Sequence, residues 1–291
     1  MKTILYSFLL LFSTFVSAQE LSQVTLNNAT LNYTVTGEGE KIVFVHGLQE
    51  DYRVFLTTLD LLDENFLGVS YSRRYNYPNN NRIVPGYGVE SEAKDLSEFL
   101  RSLGGKTHLV GHSYGGQIVL EVALSNPELV ASLTLSEPAM INWLKNIPDC
   151  RSYYDTVQKD LMEDTRKAFR TNDTTLVMKE LFEFFAGEDI QDQVPPEVLR
   201  SYKQNLREVE AMVNSKNAWT EIGPEELKNL SMPVMILTAE NTMPMLACIN
   251  KKLATALPEA IHHHLEDAGH ELWYTHQEQL ADYLEAFISG K

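Results

Sequence analysis

Gly111-His112-Ser113-Tyr114-Gly115-Gly116 lies between an apolar run, residues 107–110, and a helix-like stretch, residues 117–125. A Gly-x-Ser-x-Gly motif between a strand and a helix predicts a turn so tight that its serine takes strained dihedrals. The Ser113 hydroxyl is then pushed clear of the backbone. Glycine is expected at 111 and 115 because a Cβ there would collide with the neighbouring strand or helix. The helix that starts after Ser113 aims unpaired amides at any oxyanion formed beside it. Five-residue matches of this kind arise by chance; the strand–turn–helix context carries the inference.

Outward from this turn, strand and helix patterns alternate. Residues 22–36 have a period-two pattern that suits an antiparallel edge hairpin. Lys41-Ile42-Val43-Phe44-Val45 reads as a buried strand running into His46-Gly47-Leu48. A helical stretch at 51–62, a strand at 66–71 and an amphipathic helix at 90–103 precede the turn. Strands at 129–136, 234–238 and 260–265 follow it, and Asp267-Ala268-Gly269-His270 leads towards a final helix at 277–288. This order predicts an α/β chain with a doubly wound, mostly parallel sheet whose site lies at the strands' C-terminal ends. Between 141 and 223 the strand pattern stops, and helices are expected at 151–170, 176–186 and 195–214. Apolar side chains there, such as Phe182, Phe184, Phe185, Met212 and Trp219, either line a pocket or pack internally.

With a His-Gly turn, a serine elbow and a late Gly-His in that order, the chain resembles the α/β-hydrolase superfamily, in its compact, cap-bearing esterase and lipase-like branch. The likeness runs from about residue 31 to the end, apart from 140–223. It implies an α/β-hydrolase core at 19–139 and 224–291 with an inserted all-helical cap at 140–223. It implies Ser113 as nucleophile, His270 as base, and an oxyanion hole made by the backbone amides of Leu48 and Tyr114. The expected chemistry is hydrolysis of a carboxylic ester, lactone, thioester or amide through an acyl-enzyme, with neither metal nor organic cofactor. Carbon–carbon hydrolysis and perhydrolysis use the same machinery and stay open, as does a hydrolase-fold binding protein with little turnover.

Two stretches depart from the family's pattern. Relatives usually carry the triad acid after the strand at 234–238, in a Gly-Glu-x-Asp sequence; here Ala239-Glu240-Asn241-Thr242 puts a threonine at that place. Other members put the acid after the strand that follows the nucleophile helix, where this chain has Glu137. Glu137 is the expected acid, Glu240 the alternative, and an acid-free dyad stays open. The second stretch is Ser72-Arg73-Arg74-Tyr75, where relatives commonly have an Asp and a Gly-x-Gly. Either its arginines pair with core acids, or Arg73, Arg74 and Tyr75 form a polar and aromatic wall able to meet a substrate carboxylate.

Composition bounds the rest. The 291 residues, 44% hydrophobic, suffice for one large core with an insertion. Lys2, the apolar stretch 4–16 and Val16-Ser17-Ala18 read as a signal peptide, 1–18, cleaved to leave Gln19 and an exported protein, periplasmic or secreted. The residue directly after the cleavage point is Gln19 and not Cys, so a lipoprotein anchor is not expected, nor stable membrane insertion after cleavage. The net charge of −16 becomes −17 once Lys2 is removed. That disfavours nucleic acid and anionic membrane as partners and leaves a small-molecule substrate. Cys150 and Cys248, in an oxidising compartment, either stay apart or form one disulfide. His262-His263-His264 alternate across a strand's two faces, so no metal site is expected there.

Overall fold

The computed structural model describes residues 20–26, 28–62 and 64–290. The expected signal peptide, 1–18, lies outside them. The strand patterns form β1 (Ser22–Thr25), β2 (Thr30–Thr36), β3 (Glu40–Val45), β4 (Phe66–Tyr71), β5 (Thr107–His112), β6 (Val130–Ser136), β7 (Val234–Asn241) and β8 (Ile261–Gly269). They make one sheet in the order β1-β2-β4-β3-β5-β6-β7-β8. β1 and β2 pair antiparallel and β2 meets β4 antiparallel, whereas every pairing from β4 to β8 is parallel.

Alternation along β3 shows why helices cover both faces. Val43 and Val45 point into a core shared with the helices Val89–Leu103 and Tyr114–Ser125. Ile42 and Phe44 point the other way, towards the helices Leu56–Leu62 and Gln277–Ser289. Strands buried on both faces read as continuous apolar runs, and these do. On the second face Trp273 packs edge-on against Phe44 and Phe55, with ring centroids 5.9 and 5.2 Å apart.

Between β6 and β7 the described chain makes helices and turns and no strand. The stretch expected as a helix at 151–170 begins as Arg151–Thr156, widens into π-helical turns over Val157–Asp164, and resumes as Thr165–Phe169. Thr174–Ala186 starts where the Asp173 carboxylate accepts from the amides of Thr175 and Leu176, and stops at Gly187, whose φ of 81° no β-carbon residue adopts readily. The expected helix at 195–214 is two helices, Pro196–Gln204 and Leu206–Val213, broken at the buried Asn205. There the Asn205 side chain donates to Asp51 at 2.7 Å and accepts from the Tyr77 amide at 2.8 Å. Docking onto the core outweighs helix continuity at that residue. Among the described residues no helix is long and apolar enough to cross a membrane.

Cys150 and Cys248 are joined, with their Cα atoms 6.4 Å apart, tying the start of the helical insertion to the helix Pro244–Ala256. A bridge spanning 98 residues removes much freedom from the unfolded chain. Replacing both cysteines with alanine is expected to cost about 2–4 kcal/mol. A thermal midpoint lowered by several degrees would register it. Intact mass before and after reduction and alkylation checks the bridge itself, and two thiols alkylated without reductant would remove the basis for the expectation.

Candidate active site

The turn after β5 has the strain its sequence demands. Ser113 sits at φ 52°, ψ −117°, a conformation that costs on the order of 1–3 kcal/mol for a residue with a side chain. The glycines permit it sterically. A Cβ on Gly111 would lie 2.4 Å from Val119 Cγ2 in the following helix, and one on Gly115 would lie 2.2 Å from the Val45 carbonyl oxygen of β3. The Ser113 amide donates to Ser136 O and the Ser113 carbonyl accepts from Ala139, so β6 and its exit hold the turn.

Three side chains from three loops meet here. Ser113 Oγ is 3.0 Å from His270 Nε2, and His270 Nδ1 is 2.8 Å from Glu137 Oε2. Glu137 is fully buried just past β6, itself at a positive φ of 46°. Its other contacts complete a cage: Oε1 accepts from the Ala239 amide at 3.0 Å and Asn250 Nδ2 at 2.8 Å, and Oε2 accepts from the Thr242 hydroxyl at 2.6 Å. Burial pushes the Glu137 carboxyl's pKa up. The hydrogen bond and charge of His270, with the Thr242 and Ala239 donors, outweigh burial and hold it below the ordinary carboxylate value. Thr242, standing where relatives have an Asp, thus donates to the Glu137 carboxylate one strand away. Glu240 is exposed, and its carboxylate accepts from the Asp267 amide instead.

Leu48 and Tyr114 border the same space as Ser113 and His270. Tyr114 opens its helix, so its amide has no intrahelical acceptor. On the other loop, the amides on both sides of Leu48 are held by carboxylates. Gly47 N–H donates to Glu50 at 2.8 Å, and Gln49 N–H donates to Glu208 at 2.9 Å.

Of the two readings of Arg73, Arg74 and Tyr75, the arginines' pairing with core acids is the one found, and the placement of the three as a substrate-facing wall is corrected. Arg73 is wholly buried: its guanidinium donates to the carbonyls of His46 and Gly47, to the Tyr87 hydroxyl and to Glu208. Arg74 is paired with Asp95 and donates to Asn28 O. Tyr75 is buried against the Tyr87 ring, its hydroxyl accepting from the Val84 amide. A cation cannot stay in the interior unpaired, so each arginine is taken up by an acid from a distant segment. None of the three borders the pocket.

That pocket is small, about 40 Å³, and apolar apart from Ser113 and His270. Phe184, Phe185, Met212 and Trp219 from the insertion line it together with Met243, Met245 and Leu246 from the loop and helix after β7. Phe182 is buried in the core and packs edge-on against Tyr202. Behind the site, His112 is buried with Nδ1 3.4 Å from Glu50 and Nε2 3.0 Å from the His270 carbonyl. Burial lowers the His112 pKa and Glu50 more than restores it, so the imidazole is held above its ordinary value. Glu50, Glu208 and Asn250 carry no local signal; only their partners in space reveal them.

A family model for the alpha/beta hydrolase fold matches residues 41–277. An uncharacterized hydrolase of Bacillus subtilis, YugF, is 24% identical over 276 residues, covering 86% of this chain and 90% of that protein. Among solved structures, a putative epoxide hydrolase from Pseudomonas aeruginosa superposes with a TM-score of 0.73 at 19% identity, covering 96% of this chain and 98% of that one. The carboxylesterase CesB from Bacillus subtilis superposes with a TM-score of 0.71 at 18% identity, covering 94% and 92%. With the family's match spanning most of the sequence and its strand order and serine turn both present, the chain belongs to the α/β-hydrolase family and is a hydrolase.

Proposed function

We propose that the protein is a serine hydrolase that cleaves carboxylic esters of small, uncharged acyl groups through an acyl-enzyme. The observation that carries this is the continuous line Ser113 Oγ–His270 Nε2–His270 Nδ1–Glu137 Oε2, with steps of 3.0 and 2.8 Å. A serine hydroxyl at ordinary acidity is a weak nucleophile, and a hydrogen-bonded imidazole is the group that activates it. In the proposed reaction Ser113 Oγ attacks the ester carbonyl while His270 Nε2 takes its proton. The negative charge that develops on the carbonyl oxygen faces the amides of Leu48 and Tyr114. His270 returns the proton to the leaving alcohol, leaving an acyl-serine. Water then repeats the sequence with His270 as base, releasing the acid. Glu137 stays ionised, keeps the proton of neutral His270 on Nδ1, and stabilises the imidazolium.

The chemistry at position 113 chooses between similar folds. Epoxide hydrolysis and hydrolytic dehalogenation on this fold usually proceed through an Asp nucleophile, and this chain has Ser. A hydrolase-fold binding protein with little turnover is the alternative reading; the caged Glu137 carboxylate on His270 supports the catalytic one. We also propose export to an oxidising compartment, which the Cys150–Cys248 bridge suits.

Pocket size and lining set the substrate class. A cavity of about 40 Å³ is far below the roughly 300–1,000 Å³ that enclose drug-sized ligands. No Asp, Glu, Lys or Arg lines it, so a substrate carboxylate there would find no counter-charge among those residue types. p-Nitrophenyl acetate and butyrate are expected to be turned over faster than the octanoate, and a dicarboxylic half-ester slower than its neutral counterpart. Rates that rise with chain length to octanoate, or a preference for the charged half-ester, would overturn this substrate class.

A further inference from the structure

The loop that carries the Leu48 amide is pinned from outside the pocket. The Gly47 carbonyl oxygen lies 2.8 Å from Arg73 Nη2 and 2.9 Å from His46 Nδ1. His46 Nε2 accepts from the Arg73 amide at 3.0 Å, so the ring's proton is on Nδ1, and both lone pairs of the Gly47 oxygen are taken by donors. That oxygen and the Leu48 N–H belong to one planar trans peptide, where C=O and N–H point in opposite directions. Holding the carbonyl towards Arg73 therefore turns the Leu48 N–H the other way, to the side bordered by Ser113.

Arg73 stays in the interior because buried acids neutralise it: Glu208 is bonded to its Nη2, and the Glu92 carboxylate lies 3.8 Å from its Nη1. Glu208 lies on Leu206–Val213, a helix of the insertion, and all four of its carboxylate contacts are with residues of the N-terminal core segments. Oε1 accepts from Arg73 and from the Tyr87 hydroxyl at 3.1 Å. Oε2 accepts from the Gln49 amide and Asn76 Nδ2, each at 2.9 Å. The same guanidinium carbon stands 5.0 Å from the ring centre of Tyr114, the residue that supplies the second amide. One buried ion pair thus touches both loops of the hole, and half of that pair comes from the insertion.

We propose that Arg73 and Glu208 are positioning residues for the oxyanion hole, so that docking of the helical insertion and the aim of the Leu48 amide are a single event. This rests on the serine-hydrolase reading above. An amide aimed wrongly by an ångström loses much of its hold on a developing charge, whereas substrate held by the apolar pocket is little affected. The two residues therefore act on the transition state more than on substrate binding.

The test uses the full chain with Glu208→Gln and Tyr87→Phe. Glutamine keeps the size of Glu208 but presents an NH2 to donors on one side; Tyr87→Phe leaves both charges in place and removes one hydroxyl shared by Arg73 and Glu208. Sites are counted by the end point of fluorophosphonate labelling, so that a misfolded fraction drops out. Per labelled site, Glu208→Gln is expected to lower kcat about 10–100-fold with KM changed less than about threefold, and to weaken a trifluoromethyl ketone inhibitor by the same factor as kcat. Tyr87→Phe should show the same split in smaller measure, and decides the matter if Glu208→Gln does not fold. An active wild type with kcat per labelled site and ketone affinity unchanged in the folded variants would overturn the positioning role alone. A wild type that is neither labelled nor active would sink the hydrolase reading and this inference with it.

Discussion

Ser113→Ala should reduce p-nitrophenyl ester turnover by about six orders of magnitude while the protein stays folded. The hydroxyl makes one hydrogen bond, to His270, and supports no core contact, so its loss removes the nucleophile and little else. Alanine also keeps the β-carbon on which the turn closes. What activity remains should come from the Leu48 and Tyr114 amides and from binding alone. His270→Ala should fall as far, because without the base the serine proton has no acceptor, and fluorophosphonate labelling should slow with it. Circular dichroism and thermal melting close to wild type would show the fold intact. Purified Ser113→Ala protein with near-wild-type turnover would end the proposed mechanism.

Glu137→Gln is expected to cut turnover by about three to four orders of magnitude, with Glu240→Gln within about twofold of wild type. Hydrogen-bond polarity explains the size of the first effect. Glutamine's carbonyl can still accept from Ala239 and Asn250, but its NH2 then faces His270 Nδ1 and donates to it. The imidazole proton moves to Nε2, the nitrogen that must accept from Ser113, and the base is disabled with its geometry unchanged. Glu240 is exposed and bonded to the Asp267 amide, so its charge can go without moving the site. The pH dependence of stability supplies a second check. Because the folded pKa of Glu137 is lowered, its ionised cage stabilises the fold at pH above the ordinary 4.5, and that stability is lost as pH falls through the folded value. Thermal melts of Glu137→Gln should lack that acid-side component. A large loss in Glu240→Gln with little in Glu137→Gln would reassign the acid.

What local chemistry dictates was legible in the linear chain. Gly111 is demanded locally, by Val119 and the Gly115 carbonyl of the helix that follows Ser113, whereas the atoms that exclude a Cβ at Gly115 are the Val45 and His46 carbonyls beside it in the fold. The apolar runs at 41–45, 107–110 and 234–238 are long enough to bury both faces, so a parallel sheet with helices on each side follows from their periodicity. The histidine ahead of the last helix belongs to the same ordered pattern. Contacts between segments far apart in sequence were decided only by the tertiary structure. Choosing Glu137 over Glu240 required knowing which carboxylate lies against His270, 133 residues from Glu137. Arg73 read either as the partner of a core acid or as a ligand for a substrate's charge until the fold brought Glu208, 135 residues away, against it. The helix expected to run unbroken through 205 bends there because Asn205 finds Asp51, 154 residues away. The pocket's volume likewise depends on how side chains of the insertion interdigitate with the loop and helix after β7. Sequence patterns carry propensity and periodicity, which act over a turn or a strand. A buried charge takes its meaning from its neutralising partner, and that partner is chosen by the packing of the whole chain.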